Sequence, residues 1–186
     1  MILVSTKQVP RSEQRSHAHS LLKMCLKEYG VEYDFGETPI VIGKHNKPSL
    51  SEYPELHYNN SHADGIAAAM VSKYECGIDC EQIRRYRPNV LKRCYGVTEQ
   101  RAVEAAPENE RDLLFFRLWT LKEAYVKAIG KGLSFPLRNA VFTLDGDNIV
   151  TELSGCTFSQ QVIDREFVVS VCTLSDKIEP HIIRRL

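Results

Sequence analysis

The chain has 186 residues, 43% of them hydrophobic, and its 24 Lys and Arg are balanced by 24 Asp and Glu. That length supports one sizeable core or two small lobes, and a net charge of zero excludes a global pull toward nucleic acid or a membrane surface, so any affinity for phosphate must be local. The cysteines Cys25, Cys76, Cys80, Cys94, Cys156 and Cys172 form no Cys-x-x-Cys pair, which argues against zinc and against a disulfide framework and for free thiols in a reducing compartment.

No run approaches the roughly 20 apolar residues of a membrane span, and the start Met1-Ile2-Leu3-Val4-Ser5-Thr6-Lys7 is too short for the apolar region of a signal peptide. A cytoplasmic monomer without nucleic-acid or membrane partners is expected.

Taken in order, residues 12–29 read as a first helix, with Leu21, Leu22, Cys25, Leu26 and Tyr29 on its apolar side and Gly30 as its stop. Asp64-Gly65 is a hairpin turn signal that sets 57–61 against 66–72. The run Gly77-Ile78-Asp79-Cys80-Glu81 follows as a strand, whose period of two puts Asp79 and Glu81 on one side and Cys76, Ile78 and Cys80 on the other. A first lobe, 1–87, ends near Arg87, and a second, 88–186, begins at Pro88. Helices are expected at 89–95, at 99–106 with Thr98 as its cap, and at 109–129. In the last of these Leu114, Leu118, Leu121, Tyr125 and Ala128 make a buried stripe. Glu123 and Lys127 then lie on the opposite side, in a partly apolar cleft flanked by Phe116 and Trp119. The segments 140–144, 149–153, 157–163, 166–174 and 181–185 read as antiparallel strands. Helix, strands, helices, strands is the order of an α+β chain.

Two strand carboxylates and one helix carboxylate, completed by water, suit Mg²⁺, a hard ion that prefers oxygen and accompanies phosphates. Each piece also has an ordinary explanation. Asp79 and Glu81 fit a solvated strand edge, and Glu123 with Lys127 fits an exposed helix pair of about 0.2–0.5 kcal/mol.

Together the pieces resemble one family. Gly-Ile-Asp-x-Glu at 77–81, followed by Trp-x-x-Lys-Glu-Ala-x-x-Lys-x-x-Gly-x-Gly-Leu at 119–133, is similar to the paired signature of the 4′-phosphopantetheinyl transferases. Asn60-Ser61-His62 resembles the family's Ile-Ser-His-Ser segment, with Ala63 in place of the second serine. Gly43-Lys44-His45-Asn46-Lys47-Pro48 resembles its Gly-Lys-Pro segment with an insertion, and Leu133-Ser134-Phe135-Pro136-Leu137 is similar to the sequence after its helix.

The resemblance implies the larger, surfactin-synthetase-activating class, in which two similar lobes of one chain, each a helix on an antiparallel sheet, enclose the active site. It implies transfer of the 4′-phosphopantetheine arm of coenzyme A to a serine of an acyl or peptidyl carrier protein, with Mg²⁺, releasing adenosine 3′,5′-bisphosphate. Asp79, Glu81 and Glu123 are then the metal ligands, with Glu123 or a water beside it taking the serine proton and Lys127 serving the leaving phosphate. Coenzyme A falls to Ser61, His62, Lys122 and either Lys44 or Lys47, of which Lys47, directly before proline, is preferred. His19 stands where the family often has an arginine, and Arg15, one turn earlier, substitutes for it. Glu99 resembles a family acid near the metal and equally fits a helix N-terminal glutamate. Leu91, Lys92, Arg93 and Arg101 are candidates for contact with an acidic carrier protein. The alternatives are a coenzyme-A- or carrier-binding module without catalysis, and an Mg²⁺-dependent phosphohydrolase.

Overall fold

The computed structural model describes all residues except 35, 39, 44–46 and 177–182, and the side chains of 183–184. Its elements are β1 (Ile2–Ser5), α1 (Gln14–Lys27), β2 (Ile40–Ile42), β3 (Pro48–Leu50), β4 (His57–Ala63), β5 (Ile66–Ser72), β6 (Cys76–Gln82), α2 (Pro88–Cys94), α3 (Val97–Ala105), α4 (Glu108–Ala128), β7 (Thr143–Asp145), β8 (Asn148–Val150), β9 (Thr157–Ile163), β10 (Phe167–Thr173) and β11 (Ile183–Arg185).

Alternation along the strands builds the layers. On β1 and β5, Leu3, Ala67, Ala69 and Val71 pack with Leu21, Leu22, Cys25 and Leu26 of α1. Their neighbours Ile2, Val4, Ile66, Ala68 and Met70 face the other way and meet Cys76, Ile78 and Cys80 of β6 and Val169 and Val171 of β10. The far side of β10 presents Val168 and Cys172 to the α4 side. Two sheets, ordered β11-β1-β5-β4 and β6-β10-β9, are therefore stacked between α1 and α4, because period-two strands that are apolar on both faces must be covered on both faces.

This is the expected α+β class, with largely antiparallel sheets covered by helices. The strands cross the division at Arg87: β6 pairs with β10, Asp79 lying opposite Ser170, and β11 pairs in parallel with β1. The other sheet pairs are antiparallel, as read from the sequence. The turn at Asp64-Gly65 joins β4 to β5, with Ala63 opposite Ile66 and Gly65 at φ +75°, a conformation glycine adopts without strain. Among the described residues no helix is long and apolar enough to cross a membrane, and the six cysteines are free thiols.

Three expectations need correction. The last strand, read as antiparallel, pairs in parallel with β1 over 183–185. The helix predicted at 99–106 starts at Val97, and its N-cap is Gly96, not Thr98: Glu99 folds back so that the Gly96 N–H donates to its carboxylate (2.7 Å). Nor is α4 buried along a single stripe. Leu118, Leu121 and Ala128 are buried as expected, while Leu114 and Tyr125 are only half-buried, and Phe115, Phe116, Thr120, Lys122, Ala124 and Val126 are buried too. The helix is enclosed by α2 and α3 on one side and by β6 and β10 on the other.

That second contact has no room for a side chain. A Cβ on Gly77 would lie 2.1 Å from Ala124 O and 2.5 Å from Ala128 N, so strand and helix meet backbone to backbone. Gly77→Ala is expected to destabilise the protein by about 3 kcal/mol or more, the upper range for overpacking, as measured by urea unfolding; a cost within about 0.5 kcal/mol would show that α4 moves away freely.

Candidate active site

β6 is an edge strand of its sheet, and the side chains of β4 meet its open side. The Ile78 N–H donates to Asn59 Oδ1 (2.9 Å), and Ile78 O accepts from Lys127 Nζ (3.0 Å). Lys127 also donates to Asp79 Oδ1 (2.7 Å) and Ser61 Oγ (3.0 Å), while the Ser61 hydroxyl donates to Asp79 Oδ1 (2.9 Å). An ammonium has three donors, and Lys127 spends all of them on this corner. The Asp79 side chain is 8% exposed. Its second oxygen, Oδ2, is buried without a hydrogen-bond partner, although a buried carboxylate oxygen ordinarily has one.

Two more acids lean on this group. Burial pushes the Glu123 carboxyl up to about 7, and the charges of Asp79 and Glu81 add to the shift against the opposing pull of Lys127. Burial likewise raises Glu81, although Arg84 donates to it (2.8 Å) and draws it back down. Burial acts to lower Lys127, but Asp79, through its charge and hydrogen bond, outweighs it and the net shift is upward. The three acids share one field without closing on one point: among the described residues, no group of three His, Cys, Asp or Glu side chains is arranged to hold a metal ion. Lys127 holds one Asp79 oxygen and Arg84 holds Glu81.

Glu123 and Lys127 open into a cleft of about 960 Å³ whose walls include Asn59, Trp119, Val126, Phe135, Leu137 and Arg138. A second cleft, of about 480 Å³, lies along α1 and is lined by Arg15, His19 and Lys23 with Ser12, Ser16 and Ser20. Alternation on β4 divides its residues between the two regions. Asn59 and Ser61 turn to β6, while the exposed His62 lies on the face shared with Tyr58, toward α1. Burial, then Lys127 and Arg15, lower the His62 pKa, and burial, then Arg15 and His62, lower that of His19. Arg15 and Lys127 thus both act on His62 by their charge, and Arg15 and His62 act on His19.

Comparison with known proteins now decides the family. The sequence model of the 4′-phosphopantetheinyl transferase superfamily matches residues 75–172, more than half of the chain, including the whole of β6 and α4 and all but the last residue of β10. The chain belongs to this superfamily. A 4′-phosphopantetheinyl transferase of Bacillus subtilis is 29% identical over 154 residues, 78% of this chain and 66% of that protein. The 4′-phosphopantetheinyl transferase Sfp of Bacillus subtilis strain 168 is 30% identical over 134 residues, 69% of this chain and 60% of its own. The chain thus spans about two thirds or less of the length of these relatives. The holo-[acyl-carrier-protein] synthase of Thermotoga maritima superposes on 56% of this chain and 64% of its own, with a TM-score of 0.47 and 23% identity.

Within the transferase signature, the structure separates residues that the sequence had grouped. Lys122 is not in the cleft. Its side chain is 0% exposed, paired with the equally buried Glu99 (2.7 Å), and donates to the carbonyls of Leu137 and Ala140. Glu99 also accepts from Phe142 N–H (3.0 Å), so it cannot reach the Asp79 site, and the pair ties α3, α4 and the segment after it together. One helical step of about 100° separates Lys122 from Glu123, enough to send one into the core and the other into the cleft. Leu91 is 1% exposed in the aromatic core and has no surface for a partner, whereas Lys92, Arg93 and Arg101 are exposed. Lys47 lines the large cleft, but its ammonium is bonded to Glu75, Cys76 O and Ala128 O. Lys44 lies outside the described residues. Sequence reasoning passed over Asn59 and Arg84. Asn59 shares the strand face of Ser61, two residues on, which was the available signal.

Because Glu123 is held near 7 in the folded chain against 4.5 for a free carboxyl, the stability it contributes is complete below about pH 4.5 and is lost as pH rises through about 7. In EDTA, wild-type stability is expected to fall by about 2 kcal/mol more than that of Glu123→Gln between pH 5 and pH 8. Urea midpoints at intervals across that range check it; parallel curves would mean that Glu123 ionises freely.

Proposed function

We propose that this chain transfers the 4′-phosphopantetheine group of coenzyme A to a serine of a carrier protein. The observation that carries the proposal is the convergence of Lys127 on Ser61, Ile78 O and Asp79, with Glu123 one helical turn away in an open cleft. Family membership supplies the substrates. In the reaction, the carrier serine oxygen attacks the phosphorus that bears the pantetheine arm. The bond from that phosphorus to the bridging oxygen breaks, and adenosine 3′,5′-bisphosphate leaves.

The residues divide the work by position. Glu123, whose acid is held near neutrality, takes the proton of the serine hydroxyl, as a general base tuned to its working pH does. Lys127 brings fixed positive charge to the departing phosphate, a contribution that grows as the bond breaks. His62, Arg15 and His19 line the surface that would receive the 3′-phosphate, and the apolar wall of Trp119, Val126 and Phe135 would pack on the pantetheine arm.

The acids fit a magnesium ion by two observations: the buried Asp79 Oδ2 without a hydrogen-bond partner, and the upward shifts of Glu81 and Glu123, which a cation would reverse. Asp79, Glu81 and Glu123 would hold it. Bound there, Mg²⁺ would neutralise charge on the pyrophosphate.

Incubation with coenzyme A, Mg²⁺ and a panel of acyl and peptidyl carrier proteins is expected to add one phosphopantetheine to at least one carrier, read by intact-protein mass spectrometry. Glu123→Gln is expected to abolish the mass gain and Lys127→Met to lower kcat about 100-fold or more, the scale of losing one transition-state charge contact. Cleavage of coenzyme A without any carrier acceptor would instead assign a hydrolase.

His62→Ala is expected to weaken coenzyme A binding about 10-fold, the scale of one charge-assisted hydrogen bond, and to leave dephospho-coenzyme A binding unchanged. Isothermal titration of both ligands checks it, and equal losses would remove His62 from the 3′-phosphate.

A further inference from the structure

We propose that Lys47 is a positioning residue, a clamp that fastens the end of α4 to the start of β6, and not a phosphate contact. Its side chain is 17% exposed, and its stem runs over Gly130, where a Cβ would lie 3.1 Å from Lys47 Cδ. Its ammonium donates to Ala128 O (2.7 Å) and Cys76 O (3.3 Å) and pairs with Glu75. All three donors are therefore used inside the protein, and a phosphate oxygen could be met only by giving one of them up.

The acceptors are placed where a clamp is needed. Ala128 O is one of the last carbonyls of α4, which have no partner within the helix and carry the negative end of its dipole. Cys76 opens β6. Gly77, between Cys76 and Ile78, has no side chain with which to grip the helix it touches, so the two backbones are tied from outside, by a lysine that reaches across from just ahead of β3. Glu75 also lies 3.4 Å from His57 Nδ1, which brings β4 into the same fastening. Lys127 directly precedes Ala128, and Asp79 follows Cys76 by three residues on the same strand, so slack at the clamp passes straight to the Lys127–Asp79 contact.

The kinetic consequence rests on the transferase proposal, whereas the structural one rests on geometry alone, and the test has an arm for each. Lys47→Met is expected to lower kcat about 10-fold, a loss typical of small misplacements of reacting groups. KM should change by less than about two-fold, and the loss should be the same for coenzyme A and dephospho-coenzyme A. Lys47→Arg is expected to restore most of the activity, Glu75→Gln to lose part of it, and the double variant to be no worse than Lys47→Met. In the protein alone, hydrogen exchange of the Ile129 and Gly130 amides, which donate to Tyr125 O and Lys127 O, is expected to quicken about 10-fold or more in Lys47→Met and less in Glu75→Gln. A rise in KM for coenzyme A that spares dephospho-coenzyme A, with kcat retained, would overturn the clamp in favour of a phosphate contact. Unchanged exchange in both variants would overturn it as well. If the wild-type chain modifies no carrier, the transferase proposal fails, and the exchange measurement still decides the clamp.

Discussion

The contact on which the site depends is the one at Gly77, where the backbone of β6 touches the backbone of α4. Any side chain there would push the helix outward by more than an ångström. At the present separation Lys127 reaches Asp79, Ser61 and Ile78 O at 2.7–3.0 Å. Hydrogen bonds of that length do not survive such a shift, so the chemistry of the helix acid and lysine is coupled to the absence of a methyl group on the strand. Behind it, Thr120 and Ser170 share a hydrogen bond of 2.7 Å, and Gln160 joins both to Arg117 O. This buried polar layer fixes the rotation of α4 about its axis.

The site is charged, crowded and only partly compensated. Lys127 satisfies one oxygen of Asp79, Arg84 satisfies Glu81, and Glu123 relieves its own repulsion by holding a proton up to about pH 7. On the proposed reading a divalent ion would compete with that proton for the same negative charge, and its binding would depend on pH. The buried Glu99–Lys122 pair has the opposite character. It is balanced and sealed, with further hydrogen bonds to backbone groups on both sides, and that is the condition under which a buried ion pair is tolerated.

Much of this was legible in the residues. The two-residue turn at Asp64-Gly65, the acidic strand with Asp79 and Glu81 on one side, and the long helix carrying Glu123 and Lys127 follow from period, turn chemistry and motif, and each stands in the structure within a few residues. What was not legible depends on contacts remote in sequence. A helical wheel shows where Lys122 points but not that Glu99, on another helix, awaits it. Leu91 and Val97 are both apolar residues on short helices, yet Leu91 is 1% and Val97 64% exposed, since only Leu91 is packed among Phe115, Phe116 and Leu118 of α4. The strand β7, expected from residue 140, begins at Thr143 because Ala140 and Phe142 are drawn into the core by the carboxylate and ammonium of the buried pair.

The parallel pairing of β11 with β1 joins the last described strand to the first. Until residues 183–185 have been made, β1 has a partner on one side only, in β5, and its other edge is a row of unpaired backbone groups open to any passing strand. So long a loop is closed late and slowly. A nascent or partly unfolded molecule is therefore most exposed to strand exchange with a second copy along β1, and the surroundings of Val4 rather than those of Asp79 set how safely the protein reaches its folded state.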